Sequence, residues 1–213
     1  MLFEKNSTIV MTGDSITDCG RARPVGQGDG LGSGYASLVN ALLIAKFPRA
    51  DIKVLNTGIS GDTVRRIKSR WQSDVLDLSP DYLSIMIGVN DVWRKFDRPD
   101  GDGHVPVDEY ETVYRELVAQ VKPKVRKIIL ITPFLSETDK NEPMMAMLLD
   151  YIAVVKKIAA DEDLLLVDIQ SAVDEYLAGG IAPKILAGDR VHPSQTGAVI
   201  IAKSFLKVCG VEI

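Results

Sequence analysis

Only two histidines occur in the 213 residues, so chemistry that needs an imidazole base has two candidates. His192 follows Asp189 by three residues in Asp189-Arg190-Val191-His192-Pro193. That spacing lets the carboxylate hold one ring nitrogen and fix the tautomer of the other. His104 stands in a Gly/Asp-rich stretch without an equally good orienting partner. An oriented imidazole can take the proton of a serine hydroxyl, which is otherwise a weak nucleophile. Ser15 is the serine best placed for this. In Thr12-Gly13-Asp14-Ser15-Ile16-Thr17-Asp18 it follows a strand-like run and opens a helical turn. Taken singly, Ser15 reads as a turn residue and His192 as a cap of the last helix; two further segments change that balance.

Acyl transfer also requires N–H donors for a tetrahedral oxyanion, each typically worth ~10²–10³ in turnover. The candidates are the backbone N–H of Ser15, the backbone N–H of Gly61 and the side-chain amide of Asn90. Gly61 lies in Asn56-Thr57-Gly58-Ile59-Ser60-Gly61-Asp62, where Gly58 lets the backbone bend close to the site. Asn90 lies in Gly88-Val89-Asn90-Asp91-Val92-Trp93-Arg94. Asp14 and Asp91 are expected to brace their loops by accepting backbone N–H bonds. Trp93, Arg94 and Arg21 are candidate substrate contacts, with core packing the competing role for Trp93 and loop bracing for Arg21 and Arg23.

These segments must be brought to one place by the fold. Short apolar runs predict strands over 8–11, 52–55, 82–87, 127–131 and 164–167, several apolar on both faces as in a covered parallel sheet. Helical spacing joins Tyr35, Leu38, Val39, Leu42 and Leu43, and likewise Tyr110, Val113, Tyr114, Leu117, Val118 and Val121. Asp108 and Glu111 are placed as a capping-box-like start to the second of these. Met144, Met147, Leu148, Tyr151, Val155, Ile158 and Ala159 read as a core face rather than a binding groove, and Ala198, Ile201, Ala202 and Phe205 mark a last helix. A further helix over 62–75 has weaker periodicity. Alternating strands and helices predict one α/β domain over residues 1–213, a three-layer α/β/α sandwich with a five-stranded parallel sheet. A flavodoxin-like strand order would fit. Ligands of such sheets bind beyond the carboxyl ends of the strands, where the four segments fall. The loops over 20–34 and 96–106 belong to the same end and are candidate substrate walls.

Composition narrows the partners. Hydrophobic residues make up 46% and charged residues 25%, with a net charge of -4 and no basic stripe. Nucleic acid and anionic membranes are therefore poor partners, whereas a neutral sugar ester is compatible. No apolar run approaches membrane-spanning length, and residues 1–7 are polar, so a cytoplasmic location is expected. Cys19 and Cys209 have no metal-type spacing and read as two reduced thiols. Asp97, Asp100, Asp102 and His104 have the flavour of an oxygen-ligand loop but lack the downstream Glu of the EF-hand spacing. They read as a solvated loop, and neither metal nor cofactor is expected.

The Gly-Asp-Ser, Asn-x-Gly-x-x-Gly, Gly-x-Asn-Asp and Asp-x-x-His segments, in that order, resemble the four blocks of SGNH (GDSL) hydrolases over nearly the whole chain. The resemblance implies a Ser15–His192–Asp189 triad and an oxyanion hole of Ser15, Gly61 and Asn90. The Gly-x-Ser-x-Gly elbow of ordinary α/β-hydrolases is absent. Asp18-Cys19-Gly20-Arg21-Ala22-Arg23-Pro24, Asn90-Asp91-Val92-Trp93-Arg94 and Asp189-Arg190-Val191-His192-Pro193 further resemble intracellular bacterial acetylxylan esterases. That implies acetylated xylo-oligosaccharides or related sugars as substrate, and a homo-oligomer. Gly188 departs from the resemblance, which implies an aromatic residue before the Asp-Arg pair. The competing functions are a thioesterase or lysophospholipase acting on longer acyl chains, and a non-catalytic carbohydrate-binding protein on the same fold. A histidine base must be neutral, so esterase activity is expected to fall as pH drops through about 6–7.

Overall fold

Runs such as Tyr82-Leu83-Ser84-Ile85-Met86, buried at every position, must be covered on both faces, which a central sheet between helices achieves. A computed structural model describes residues 1–99, 101 and 103–213. Its sheet comprises β1 (Thr8–Gly13), β2 (Gly26–Gln27), β3 (Lys53–Asn56), β4 (Tyr82–Met86), β5 (Lys127–Ile131) and β6 (Leu165–Val167), in the spatial order β2-β3-β1-β4-β5-β6. The five expected strands are all present and parallel. Their order is flavodoxin-like. The sixth, β2, corrects the expected count: a two-residue antiparallel edge pairs Gly26 with Asn56 and Gln27 with Leu55. So short a strand in a glycine-rich loop has no periodicity to reveal it. The chain leaves β1 toward β3 and returns on the other side to β4, placing the switch point between β1 and β4.

The helices flank this sheet. α2 (Tyr35–Lys46) packs on α9 (Gln195–Val208), while α3 (Val64–Ser69) packs on α5 (Val107–Val121), and α5 on α6 (Pro143–Asp161). Among the described residues the remaining α-helices are α1 (Ser15–Asp18), α4 (Val89–Asp97), α7 (Ile169–Ala178) and α8 (Pro183–Leu186). The predicted apolar face of α5 is buried throughout, and that of α6 is buried except for Met147, which is partly covered.

Three local expectations are corrected. The helix over 62–75 is broken into α3 and a π-helical turn at Gln72–Leu76, with Arg70 between them turned inward toward Asp62 and Asp74. No capping box forms at α5, which starts after Pro106; Glu111 instead pairs with Arg115 and Lys157. The segment after β4 is the helix α4, not a loop, so Asn90 and Arg94 stand one turn apart on a single helix face.

Two glycines let these elements close on the site. Gly88, at φ +134°, lets the fully buried Tyr110 donate its hydroxyl proton to the Ile87 carbonyl at 2.8 Å. A Cβ at Gly88 would lie 2.8 Å from that hydroxyl. Gly58 is needed for close approach rather than for its backbone angle. A Cβ there would sit 2.5 Å from the Asp18 nitrogen and 2.8 Å from the Thr17 carbonyl carbon. The obstacle is backbone, which cannot step aside as a flexible side chain can. Gly58→Ala is expected to cost about 2–3 kcal/mol, lowering Tm by roughly 5–10 °C. Thermal unfolding followed by circular dichroism checks this.

Candidate active site

The loops at the carboxyl edge bring Ser15 and His192 together from opposite ends of the chain. Asp14 caps α1 by accepting the Ile16 N–H at 2.9 Å, which sets Ser15 as the first helical residue. Ser194 caps α9 by accepting the Gly197 N–H, and its own N–H bonds the Leu186 carbonyl. The loop carrying His192 is thereby fastened at its C-terminal end. At its other flank Arg190, in a left-handed conformation, forms ion pairs with Glu137 and Glu142, and its carbonyl accepts the Ser136 N–H.

Ser15 Oγ lies 2.9 Å from His192 Nε2, and His192 Nδ1 lies 2.6 Å from Asp189 Oδ2. A carboxylate only accepts, so Nδ1 carries the proton and Nε2 is the acceptor facing the serine. Asp189 Oδ1 also accepts the backbone N–H groups of Val191 and His192. Partial burial pushes the Asp189 carboxyl upward. The bonds from the His192 ring and the two backbone N–H groups outweigh it and hold the group below the usual range. The His192 and Asp189 side chains are 45% and 48% exposed. Their alignment therefore comes from directional bonds rather than from a dry pocket.

Of the three candidate donors, the Asn90 amide is tied to the Gly61–Asp62 loop, and the Ser15 N–H belongs to the nucleophile itself. The N–H groups of Ser15 and Gly61 have no acceptor among the described residues. Gly61 reaches its position at φ +83°, a left-handed angle that favours glycine. Asn90 is buried and spends one Nδ2 hydrogen on the Asp62 carbonyl at 3.0 Å. The arrangement can transfer a serine proton to an imidazole while holding negative charge on an acyl oxygen.

Several braces were not legible as such. Arg70 donates to the Gly13 carbonyl, the Thr57 carbonyl and the Asp62 carboxylate, tying the end of β1 to the Gly61 loop. Nothing in a weakly periodic segment distinguishes it from a surface arginine. Asp18 Oδ2 accepts from the Ser60 N–H, the Ser60 hydroxyl and Arg23. Asn56 donates to the Thr17 and Leu31 carbonyls and accepts the Gly58 N–H.

The other expected positions fall as follows. Arg21 is buried and donates to the carbonyls of Gly58, Ala22 and Pro24, the bracing role rather than a place in the cleft. Trp93 packs partly against the core and meets His192 edge-on, with ring centroids 5.8 Å apart. It walls the imidazole. Arg94 bonds Asn90 and Asp97 and lies against the Trp93 ring. His104 Nδ1 donates to the Asp91 carbonyl at 2.7 Å, so it fastens its loop to α4. Asp97 is paired with Arg94, while Asp100 and Asp102 lie outside the described residues. Cys209 is buried and Cys19 half-buried, and both are free.

Asp14 and Asp91 do accept backbone N–H bonds, Asp91 from Val64 at 2.9 Å. Burial raises each carboxyl to about 7, against the lowering effect of those bonds. A raised pKa means that the folded protein holds a proton the unfolded chain has already lost. This contribution to stability is full below about pH 4 and declines as pH rises toward 7. Asp91→Asn keeps an acceptor for Val64 but cannot ionise. Its Tm is expected to fall less between pH 5 and pH 8 than that of the parent, with the Asp14 share remaining. Calorimetry across that range measures the difference, and parallel curves would contradict it.

Residues 11–200 match the GDSL-like Lipase/Acylhydrolase family. An acetylxylan esterase of Geobacillus stearothermophilus is 49% identical over the full length of this chain and 98% of its own. The crystal structure of that organism's acetylxylan esterase Axe2 superposes with a TM-score of 0.97 at 48% identity, covering 100% of this chain and 98% of the other. Axe2 variants described as catalytic mutants replace a serine, a histidine and an aspartate. An α/β hydrolase from the metagenome of Lake Arreo, LAE5, has a TM-score of 0.95 at 44% identity over 99% of this chain and 98% of its own. With its four motif segments gathered at one sheet edge, this chain belongs to the GDSL-like lipase/acylhydrolase family.

Proposed function

We propose that the chain is a single-domain serine esterase that removes acetyl groups from xylo-oligosaccharides or related sugars, without a cofactor. The observation that carries this reading is the hydrogen-bonded Ser15–His192–Asp189 relay. Ser15 attacks the acetyl carbonyl while His192 Nε2 takes its proton. The Ser15 and Gly61 N–H groups and the Asn90 amide hold the oxyanion. His192 then returns the proton to the departing sugar oxygen. Water, deprotonated by the same imidazole, releases acetate and restores Ser15. Asp189 stays ionised and stabilises the imidazolium.

The acetyl-sugar assignment draws on the likeness to the Geobacillus acetylxylan esterase and on the cleft beside Gly61. That cleft has a volume of about 560 Å³ and is lined by Ser60, Thr63, Arg65, Arg66 and Arg98, among others. Guanidinium and hydroxyl groups suit the hydroxyls of a sugar. They would strand a long alkyl chain among polar groups, which disfavours the thioesterase or lysophospholipase reading. No helix of the described residues is long and apolar enough to cross a membrane. The reading places the enzyme in the cytoplasm as a homo-oligomer.

Ser15→Ala is expected to lower acetate release from acetylated xylo-oligosaccharides by at least about 10⁴-fold and to abolish fluorophosphonate labelling. Retention of either would overturn the nucleophile. The nitrophenyl acetate to octanoate preference in kcat/KM should be about tenfold or more. Equal rates would favour the long-chain alternative.

A further inference from the structure

Asn90 can serve as an oxyanion donor only if its amide is turned the right way, since its two ends are nearly equal in shape and opposite in chemistry. The neighbours of Asn90 remove the ambiguity. Asp62 presents a carbonyl, which only accepts, to one end at 3.0 Å. Arg94 presents guanidinium Nη2, which only donates, to the other end at 2.8 Å. The oxygen of Asn90 must therefore face Arg94, and its NH₂ must face the Gly61–Asp62 loop.

Helix spacing makes this possible. Asn90 and Arg94 are four residues apart on α4, and Asp97, three further on, pairs with Arg94 Nη1. The guanidinium is held in turn by the face of Trp93, its carbon 5.3 Å from the ring centroid. The Arg94 side chain is only 16% exposed. It is thus a fixed group rather than a solvated arm free to reach for ligand.

We infer that Arg94 is a positioning residue: it locks the Asn90 amide so that one Nδ2 hydrogen binds Asp62 and the other remains for the oxyanion. The inference rests on the proposed role of Asn90 and replaces the substrate contact expected for Arg94 from the sequence. Without Arg94, the buried Asn90 oxygen loses its donor. The amide is then held through the Asp62 bond alone and can pivot about it, which misaligns the remaining Nδ2 hydrogen relative to the developing negative charge. Binding of a small ester in its ground state is unaffected, so the loss belongs to kcat.

A double-mutant cycle on nitrophenyl acetate hydrolysis tests this. Asn90→Ala alone should lower kcat by about 10²–10³-fold. Arg94→Met should lower kcat by about tenfold or more, the share of a donor that is misaligned rather than deleted, with KM within about twofold. In the Asn90→Ala background Arg94→Met should have less than about a twofold further effect, since no amide remains to orient. Arg94→Lys, which keeps the charge and a donor, should fall between wild type and Arg94→Met and provides the test if the methionine variant does not fold.

Equal effects of Arg94→Met in both backgrounds would overturn the inference, because Arg94 would then act through Trp93 and His192 or through general stability. A raised KM with unchanged kcat would also overturn it and make Arg94 a substrate contact. Wild-type kcat in Asn90→Ala would remove the oxyanion role of Asn90 and the inference with it. Neither of the first two outcomes touches the Ser15–His192 relay.

Discussion

The 2.9 Å contact between Ser15 Oγ and His192 Nε2 joins residues 177 apart in the chain, and the rest of the architecture serves to hold it. A hydrogen bond weakens steeply beyond about 3.2 Å or when bent. Two loops from opposite ends of the chain must therefore be placed to within a few tenths of an ångström. The parallel sheet does the coarse work by setting the end of β1 at the switch point. The α9 cap, the Arg190 ion pairs and the Asp189 carboxylate do the fine work on the other side.

The proposed oxyanion hole makes a second demand: its donors must not be consumed by the protein. The Gly61 loop is held almost entirely through other atoms. Asp18 holds Ser60, Asp91 holds the Val64 N–H, and Arg70 holds Thr57 and the Asp62 carboxylate. The bracing costs stability, since Asp14 and Asp91 are fully buried carboxyls whose charged forms burial disfavours. A site of this kind accepts that cost because an oxyanion donor is useful only when preorganised.

The legible part of the site was local. Asp189 and His192 are close in sequence, and the loop that contains both aligns them whatever lies beyond. Ser15 and Gly61 each read alone as turn residues, and they stood out only through the combination of four short segments along the chain. Arg70, Arg94 and Asp18 could not be read for their roles, because an arginine or aspartate on a helix looks the same whether it meets water or a carbonyl from another strand. Trp93 illustrates the point. Both roles weighed for it were reasonable, and only the packing of α4 against the His192 loop places its ring against the imidazole.

The same division holds for the fold. Apolar runs and helical spacing determined by themselves the five parallel strands, the buried faces of α5 and α6, and the sheet edge at which the motifs lie. These are properties of short stretches in which the pattern of side chains repeats the geometry of the element. The tertiary structure alone decided the strand order, the edge strand β2, the break in the helix over 62–75 and the extension of the Asn90 segment into α4. Each depends on pairing between distant segments: β2 on β3, Arg70 on Gly13 and Asp62, Tyr110 over Gly88. A one-dimensional pattern records what a residue is, and those contacts depend on what it meets.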